Sequence, residues 1–273
     1  MNRLFRRIMG VVVLSLVLIV CIQLRIQAPS ERTAIERVPL TVQQTVGLAF
    51  CTGAPPCVKR RANPDAKEVF FKILHNPKLR EFHPNAASNL GLICDVHDLD
   101  RIESEIARIA SSPVAVGVNT SRDKLVVRSL CFALARMGLR DIEPARTRLE
   151  MMTSDGYWTS INATYFSPGT SPIVTDADFF RALAFEAYFI LESDNPRELI
   201  SKAISDLDGY RRGSLDISLR AAFRSSRNTR SSFFRECDDQ THADWIAKLP
   251  KYWNGDLDNP QPTTISNGLK HES

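Results

Sequence analysis

A segment of seven residues, CDVHDLD at positions 94–100, brings together one cysteine, one histidine and three aspartates. Such side chains bind metal ions or transfer protons, but a zinc site usually needs three or four ligands, commonly with paired spacings such as C-x2-C. Here Cys94 and His97 form one C-x2-H pair without a second half. An aspartate at a helix N-terminus accepts hydrogen bonds from unpaired backbone N–H groups. We therefore interpret the segment as a polar turn between two helices and expect no metal or cofactor; a metal-dependent sensor at Cys94 and His97 is the alternative.

A second polar cluster, ECDDQTHADW at positions 236–245, surrounds His242 with aspartates. We interpret it as a solvated loop before a helix for which Thr241 is the cap. The sequence contains no glycine-rich phosphate loop, no H-E-x-x-H and no G-x-S-x-G motif. The catalytic residues, if any, are therefore unknown, and an active site assembled from distant residues stays open.

An aromatic insertion, SDGYWTSINATYFSPGTSP at positions 154–172, separates two helical segments. Insertions between helical repeats form loops on one face, often the binding face, and aromatic side chains anchor many protein interfaces. We predict that this insertion contacts a protein partner; the alternative is that its rings fold back and cover the core. The predicted partner-binding residues of the insertion are Tyr157, Trp158, Tyr165 and Phe166.

The segment 209–235 is strongly basic, with seven arginines and one acid, Asp216, in a chain whose net charge is +4. Such a cluster suits an acidic protein surface or anionic lipid head groups, near which each basic residue contributes about 1 kcal/mol. The alternative is a solvated helix face with Phe223 in the core. The predicted partner-binding residues of this segment are Arg211, Arg212, Arg220, Arg224, Arg227 and Arg230.

The N-terminus has the pattern of a membrane segment. Three arginines precede the apolar run MGVVVLSLVLIVCIQL at positions 9–24. A helix of that length spans about 24 Å, close to the ~30 Å hydrocarbon core of a bilayer. The best signal-peptidase site, after Ala28, has unfavourable neighbours in Ile26 and Pro29, which favours an uncleaved transmembrane anchor over a cleaved signal. Because basic residues mark the cytoplasmic side, we expect a single-pass protein with residues 1–8 in the cytoplasm and the main domain outside it.

Cysteine usage agrees with an extracytoplasmic, oxidising compartment. Cys51 and Cys57 bracket TGAPP, whose glycine and prolines favour a turn. We predict a disulfide bond between them, with two unrelated thiols as the alternative. Cys94 and Cys131 lie on apolar helical faces, so we expect both to be buried.

Residues 64–249 show apolar side chains at three- and four-residue spacing nearly throughout, which predicts helices. The composition, 44% hydrophobic and 24% charged, is that of a globular domain with a sizeable core. Short strands are expected, if anywhere, at 113–118 and 157–166. The flanking segments 25–63 and 250–273 are polar and contain prolines, and we assign them to a linker or stalk and to a disordered tail.

Three stretches of this domain share one layout: a helix rich in small and apolar residues, a tight polar turn, and a more polar amphipathic helix. Their first residues are His83, Leu125 and Asp178. Leu90 and Leu134 occupy matching positions 44 residues apart, within the ~40–47 residues typical of HEAT and armadillo units. Over residues 83–208 the layout resembles HEAT-like or armadillo-like helical repeats. The resemblance implies a short α-solenoid, and a non-repeating helical bundle is the alternative.

These features together predict an all-α domain, either a short HEAT-like α-solenoid or a helical bundle, with an N-terminal membrane helix. We expect a non-enzymatic adaptor or scaffold that binds another protein, with the arginine-rich segment facing an acidic surface or anionic lipid. A helical hydrolase of the cell envelope is the alternative. For a domain outside the cytoplasm we expect no nucleic-acid partner.

Overall fold

The computed structural model describes residues 39–51, 54, 56–113, 121–166, 174–192, 194–234 and 239–249. Within these ranges every regular element is helical, which confirms the all-α prediction for this part of the chain. The α-helices are α1 (Val42–Gly47), α2 (Pro56–Lys59), α3 (Lys67–His75), α4 (His83–Ile93), α5 (Leu99–Ser111), α6 (Ser121–Gly138), α7 (Glu143–Met152), α8 (Asp155–Ser160), α9 (Asp176–Leu191), α10 (Pro196–Ile204), α11 (Gly209–Phe234) and α12 (Asp239–Lys248). Short 3-10 segments span Pro64–Ala66, Pro77–Phe82 and Val96–Asp98.

The three stretches with a shared layout fold as the helix pairs α4–α5, α6–α7 and α9–α10. The first helices of the pairs lie side by side, because α4 packs against α6 and α6 packs against α9. Helix α3 extends this row at one end and α11 at the other. The second helices are outside the row: α5 packs on α6, α7 packs on α6 and α9, and α10 packs on α11.

Helices α4 and α6 are in backbone contact at Gly91. A Cβ atom at this position would lie 2.5 Å from the carbonyl oxygen of Ala133 and 2.6 Å from its Cα, so only glycine fits. Arg140, in the turn that follows α6, donates from Nη1 to the carbonyls of Gly91 and Cys94, at 3.1 and 2.8 Å. Arg136 donates to Ser88 Oγ at 2.7 Å. The C-terminal end of α4 thus receives donors that its own helix cannot supply.

Side-chain caps set several helix starts. Asn63 accepts a hydrogen bond from the N–H of Asp65 at 2.9 Å and begins the helical run that ends at His75. Thr175 accepts from the N–H of Asp178 at 3.1 Å and begins α9. Each cap satisfies an N–H group that has no partner within its own helix.

Apolar side chains form two clusters. The larger cluster runs through the row and contains Cys94 and Cys131, both fully buried as predicted. Burial raises the pKa of the Cys131 thiol to about 12, so this thiol stays protonated at neutral pH. The smaller cluster joins α9, α10 and α11, and its buried members are Phe185, Phe189, Ile200, Ile204, Leu215, Leu219 and Ala222. Phe223 packs against the smaller cluster and meets Phe189 edge-on.

The folded domain begins near Leu40, so the predicted stalk does not extend to residue 63. Leu40, Val46 and Val58 are all buried in the larger cluster. The N–H of Leu40 donates to the carbonyl of Arg61 at 2.8 Å, which fixes the start of the segment to its end. The sequence did not indicate that this segment is folded, because α1 buries one apolar turn, which is too short to give a clear helical periodicity.

Two local predictions were wrong. The possible strand at 157–166 begins instead as helix α8 and continues without regular structure to Phe166. Thr241 lies inside α12, which starts at Asp239, so it is not the helix cap.

The predicted membrane segment 9–24, the tail 250–273 and nearly all of the possible strand 113–118 lie outside the described residues. Among the helices that the structure describes, none combines the length and hydropathy needed to cross a bilayer.

The contact at Gly91 gives a direct test of the α4–α6 packing. Gly91→Ala places a methyl group against the backbone of Ala133, so we expect it to lower the free energy of unfolding by about 1–3 kcal/mol. Chemical denaturation followed by circular dichroism measures this change. Gly213→Ala is the matched control, because nothing lies within 4 Å of its Cβ position in α11. There we expect a gain of about 0.5–1 kcal/mol, and an equal gain at Gly91 would contradict the close contact.

Candidate functional site

The aromatic residues of the insertion are divided between the core and the surface. Trp158 is 0% exposed, and its ring stacks on Phe180 with centroids 5.0 Å apart. Its indole N–H donates to the carbonyl of Met152 at 2.6 Å. Ser154 caps α8 and so starts the short helix that carries this ring. Trp158 therefore fills the core, contrary to its predicted role as a partner-binding anchor.

The other three aromatic residues of the insertion are half-buried. The ring of Tyr165 stacks on Phe179 with centroids 3.5 Å apart. The backbone N–H groups of Tyr165 and Phe166 both donate to Asp176 Oδ1 at 2.7 Å, which ties the insertion to the start of α9. Tyr157 packs edge-on against Trp158. Tyr157, Tyr165 and Phe166 keep an accessible part, and their partner-binding role stays a prediction.

Arg211 is part of an internal charge network. Its guanidinium donates to Asp178 at 2.7 and 3.0 Å and to Asp155 at 2.8 Å. Asp178 is 1% exposed and also lies 3.2 Å from Arg181. This network joins the N-terminal end of α11 to α8 and α9. The geometry gives Arg211 a structural role, and its contact with a partner stays a prediction.

The other arginines that were predicted to bind a partner lie further along α11. Arg212, Arg224 and Arg227 are exposed, and Arg230 is half-buried with contacts of its own. Arg220 is exposed and pairs with Asp216 at 2.8 Å. We call one set of exposed side chains the α11 face; its members are Tyr210, Ile217, Arg220, Arg224 and Arg227.

The α11 face combines charge with apolar surface. Arg220, Arg224 and Arg227 are spaced i, i+4 and i+7, which places them on one side of the helix. Tyr210 and Ile217 are 66% and 68% exposed, and the seven-residue steps from Tyr210 to Ile217 and from Ile217 to Arg224 align all three along the axis. The opposite side of α11 carries Leu215 and Leu219 into the smaller apolar cluster.

The segment 94–100 forms a capped turn, as the sequence predicted. Asp95 accepts from the N–H of His97 at 2.8 Å, and Asp98 accepts from the N–H of Asp95 at 2.9 Å. Lys67 pairs with Asp98 at 2.9 Å. Cys94 is buried while His97 is exposed. Within the described ranges no group of three or more histidine, cysteine and carboxylate side chains is arranged to hold a metal ion.

The predicted disulfide bond falls partly outside the described side chains. Cys51 is buried in the larger apolar cluster, and the side chain of Cys57 is not among those that the structure describes. The bond between Cys51 and Cys57 stays a prediction.

Sequence reasoning missed a pocket of about 340 Å³ between α2, α4, α6 and α11. Four basic side chains line it: Lys59, Arg60, Arg136 and Arg140. Leu92, Leu139 and Phe233 supply its apolar wall. Arg136 lies in the last turn of α6, and Arg140 lies in the turn that follows this helix. No sequence pattern links these two residues to Lys59 and Arg60, which lie in the predicted stalk.

Several positively charged side chains lie close together in this pocket. Burial, and secondarily the charge of Arg136, lowers the pKa of Lys59 to about 8. Burial lowers the pKa of Arg136 to about 10. The Arg136 guanidinium also lies over the ring of Phe233, 4.4 Å from its centroid. Of the described residues that line the pocket, none carries a negative charge.

No protein-family model, curated protein or solved structure matches this chain.

The charge network at Asp178 predicts a pH-dependent stability. Burial alone raises the pKa of Asp178, but the hydrogen bond and charge of Arg211, with contributions from Thr175 and Arg181, outweigh it and hold the pKa below its ordinary value. A carboxylate with a lowered folded-state pKa stabilises the fold above its unfolded pKa of about 3.9, and this contribution is lost as the pH falls toward the folded value.

We expect Asp178→Asn to lower the free energy of unfolding by about 3–5 kcal/mol at pH 7, because it removes the buried carboxylate that Arg181 and Arg211 share. Denaturant titrations between pH 7 and pH 3 measure the difference between wild type and variant. That difference should shrink below about pH 4, because the Asp178 carboxyl of the unfolded wild-type chain takes up a proton there while that of the folded chain stays ionised. Asp206→Asn is the control at an exposed site shortly before α11. A difference that does not change with pH would contradict the network.

Proposed function

We propose that the chain is a membrane-tethered, non-enzymatic adaptor whose helical domain binds an acidic surface of a partner protein through the α11 face. The observation that supports this most directly is the arrangement of three exposed arginines beside exposed Ile217 and Tyr210. Partner surfaces commonly combine an aromatic or aliphatic anchor with arginine, whose planar guanidinium binds carboxylates in a bidentate manner.

A HEAT-like arrangement is part of the proposal. It is supported by the row in which α4, α6 and α9 pack in order, each followed by a helix outside the row. Helix α11 continues the row after α9, and its inner side packs on α9 and α10. In stacked helical pairs of this kind, the last helix presents an uncovered side, and extended surfaces of such stacks bind other proteins.

Binding of a partner to the α11 face requires several contacts that act together. An exposed ion pair contributes about 0–1 kcal/mol, so no single arginine of the α11 face would hold a partner. Burial of Ile217 and Tyr210 against a partner removes apolar surface from water and adds about 1.5–3 kcal/mol for a fully buried aliphatic side chain. The charges then supply orientation and fast association, and binding should weaken as salt screens them.

The test is crosslinking of the tagged full-length chain in its own membrane, followed by mass spectrometry. Arg224→Glu/Arg227→Glu reverses two exposed charges of the α11 face and should reduce the yield of the partner crosslink at least about tenfold, because like charges then face each other. Lys72→Glu/Lys78→Glu is the matched control: it changes the net charge equally at two other exposed sites.

Two outcomes would reject this function. One is a crosslink yield that the two double variants reduce equally, since the α11 face would then have no special role. The other is the absence of any stoichiometric partner for a folded and abundant chain, which would favour the hydrolase hypothesis. Crosslinks to anionic lipid alone would assign the α11 face to the membrane surface instead of a protein.

A further inference from the structure

A groove of about 490 Å³ lies between α7, α9 and α10, and we call it the α9 groove. Arg181, Phe185 and Tyr188 line it from α9, at steps of four and three residues that place them along one side of this helix. Leu199 and Ala203 line it from α10. The volume falls within the range of about 300–1,000 Å³ that is usual for small-molecule sites.

Arg181 joins the three helices that form the α9 groove. Its side chain is 7% exposed, and its guanidinium donates to the carbonyl of Thr153, just after α7, at 3.0 Å and to that of Ala203 on α10 at 3.2 Å. The carboxylate of Asp178 lies 3.2 Å from the same guanidinium. Because its charge is compensated and its donors are engaged, Arg181 shapes the groove without making it a site for anions.

The other charged side chains of the α9 groove leave a negative excess. Asp155 pairs with Arg211, which completes the network of two arginines and two aspartates and adds no net charge. Glu150, Lys202 and Asp206 also line the groove, and none of these three forms an ion pair with another residue that the structure describes. Two carboxylates and one ammonium group give a net charge of about −1 at neutral pH.

Tyr188 brings an unpaired hydroxyl to the α9 groove. The residue is 8% exposed, and its hydroxyl makes no hydrogen bond within the part of the chain that the structure describes. A buried tyrosine hydroxyl usually has a hydrogen-bond partner, so this position lacks a group that a ligand would supply. Burial, and secondarily the charges of Glu150 and Glu192, raise the pKa of Tyr188. Negative charge therefore dominates around this hydroxyl, despite the opposing effect of Arg146.

The apolar lining of the α9 groove favours an organic cation over a simple ion. Phe185 and Tyr188 supply aromatic surface from α9, and Leu199 and Leu207 supply aliphatic surface opposite the α7 side. A metal ion or a bare ammonium ion would leave this surface in contact with water, whereas an attached apolar chain would cover it.

We propose that the α9 groove binds a small organic cation in which an ammonium group is joined to an apolar chain. The ammonium group lies beside Glu150 and the hydroxyl of Tyr188, and the apolar chain lies along Phe185, Leu199 and Leu207. The groove shares no residue with the α11 face, so the site stands independently of the adaptor function. A free amine and a lysine side chain of another protein present the same chemistry, and the experiment separates them.

The probe is hexylammonium, titrated calorimetrically into the full-length chain in phosphatidylcholine nanodiscs, with empty nanodiscs as the blank. We expect it to bind at least about tenfold more tightly than hexanol and hexanoate, which lack the positive charge, and than methylammonium, which lacks the chain. The methylamide of N-acetyl-lysine identifies the source. Binding as tight as that of hexylammonium indicates a lysine side chain of another protein, and binding at least about tenfold weaker indicates a free amine.

Glu150→Gln is the diagnostic variant. Folding should not depend on this carboxylate, because it is exposed and forms no ion pair with another described residue. We expect the variant to bind hexylammonium about tenfold more weakly, through loss of a charge-assisted hydrogen bond. Glu81→Gln is the matched control: it removes the same charge at an exposed site of the 3-10 segment Pro77–Phe82 and should bind hexylammonium as wild type does.

Tyr188→Phe is a second variant, which removes only the hydroxyl group. We expect it to fold as wild type does and to bind hexylammonium about 2–10-fold more weakly, the effect of one neutral hydrogen bond. Methylammonium should lose affinity by a similar factor, because the lost contact is with the ammonium group. The proposal is overturned if hexanol or hexanoate binds as tightly as hexylammonium, or if Glu150→Gln and Tyr188→Phe both bind hexylammonium as wild type does.

Discussion

Helices α4 and α6 meet with their backbones in contact, since Gly91 leaves no side chain between them and Ala133. This contact fixes the position of α6 along α4 and, with it, the reach of Arg136 to Ser88 in the middle of α4 and of Arg140 to the end of α4. Because α6 also packs on α9, and α9 on α11, the same contact determines where the later helices of the row begin. A change at this crossing would therefore be transmitted to both the pocket and the α11 face.

The domain holds buried cations in two different ways. Arg211 is neutralised by carboxylates, one of them fully buried, and this fixes the N-terminal end of α11. Lys124 uses helix carbonyls instead: its ammonium donates to Ile109, Ala110 and Ser112 at 2.7, 3.0 and 2.6 Å, at the end of α5. Exposed Arg140 makes similar hydrogen bonds at the end of α4. Carbonyl partners stabilise a cation without cancelling its charge.

Local patterns in the sequence were sufficient for the helix pairs and the capped turn at Asp95, because apolar spacing and cap chemistry act within a few residues. Local patterns could not place Trp158, because an aromatic side chain in an insertion is as compatible with the core as with an interface. Its burial follows from the position of Phe180, against which its ring stacks in the folded domain. The pocket could not be predicted from the sequence for a different reason. Lys59 and Arg136 are distant in sequence, and their proximity follows from the packing of α2 and α6 beside α11.

Helix α11 connects the two candidate sites. At its N-terminal end Arg211 is held by Asp178, and at its C-terminal end Phe233 lies against Arg136. The arginines of the α11 face lie between these two attachments, so both ends determine the direction in which that face points. The first attachment is a buried ion pair and resists displacement, because separating its partners would leave a charge uncompensated. The second combines a cation–π contact of about 0.5–2 kcal/mol with the packing of Phe233 against the larger apolar cluster.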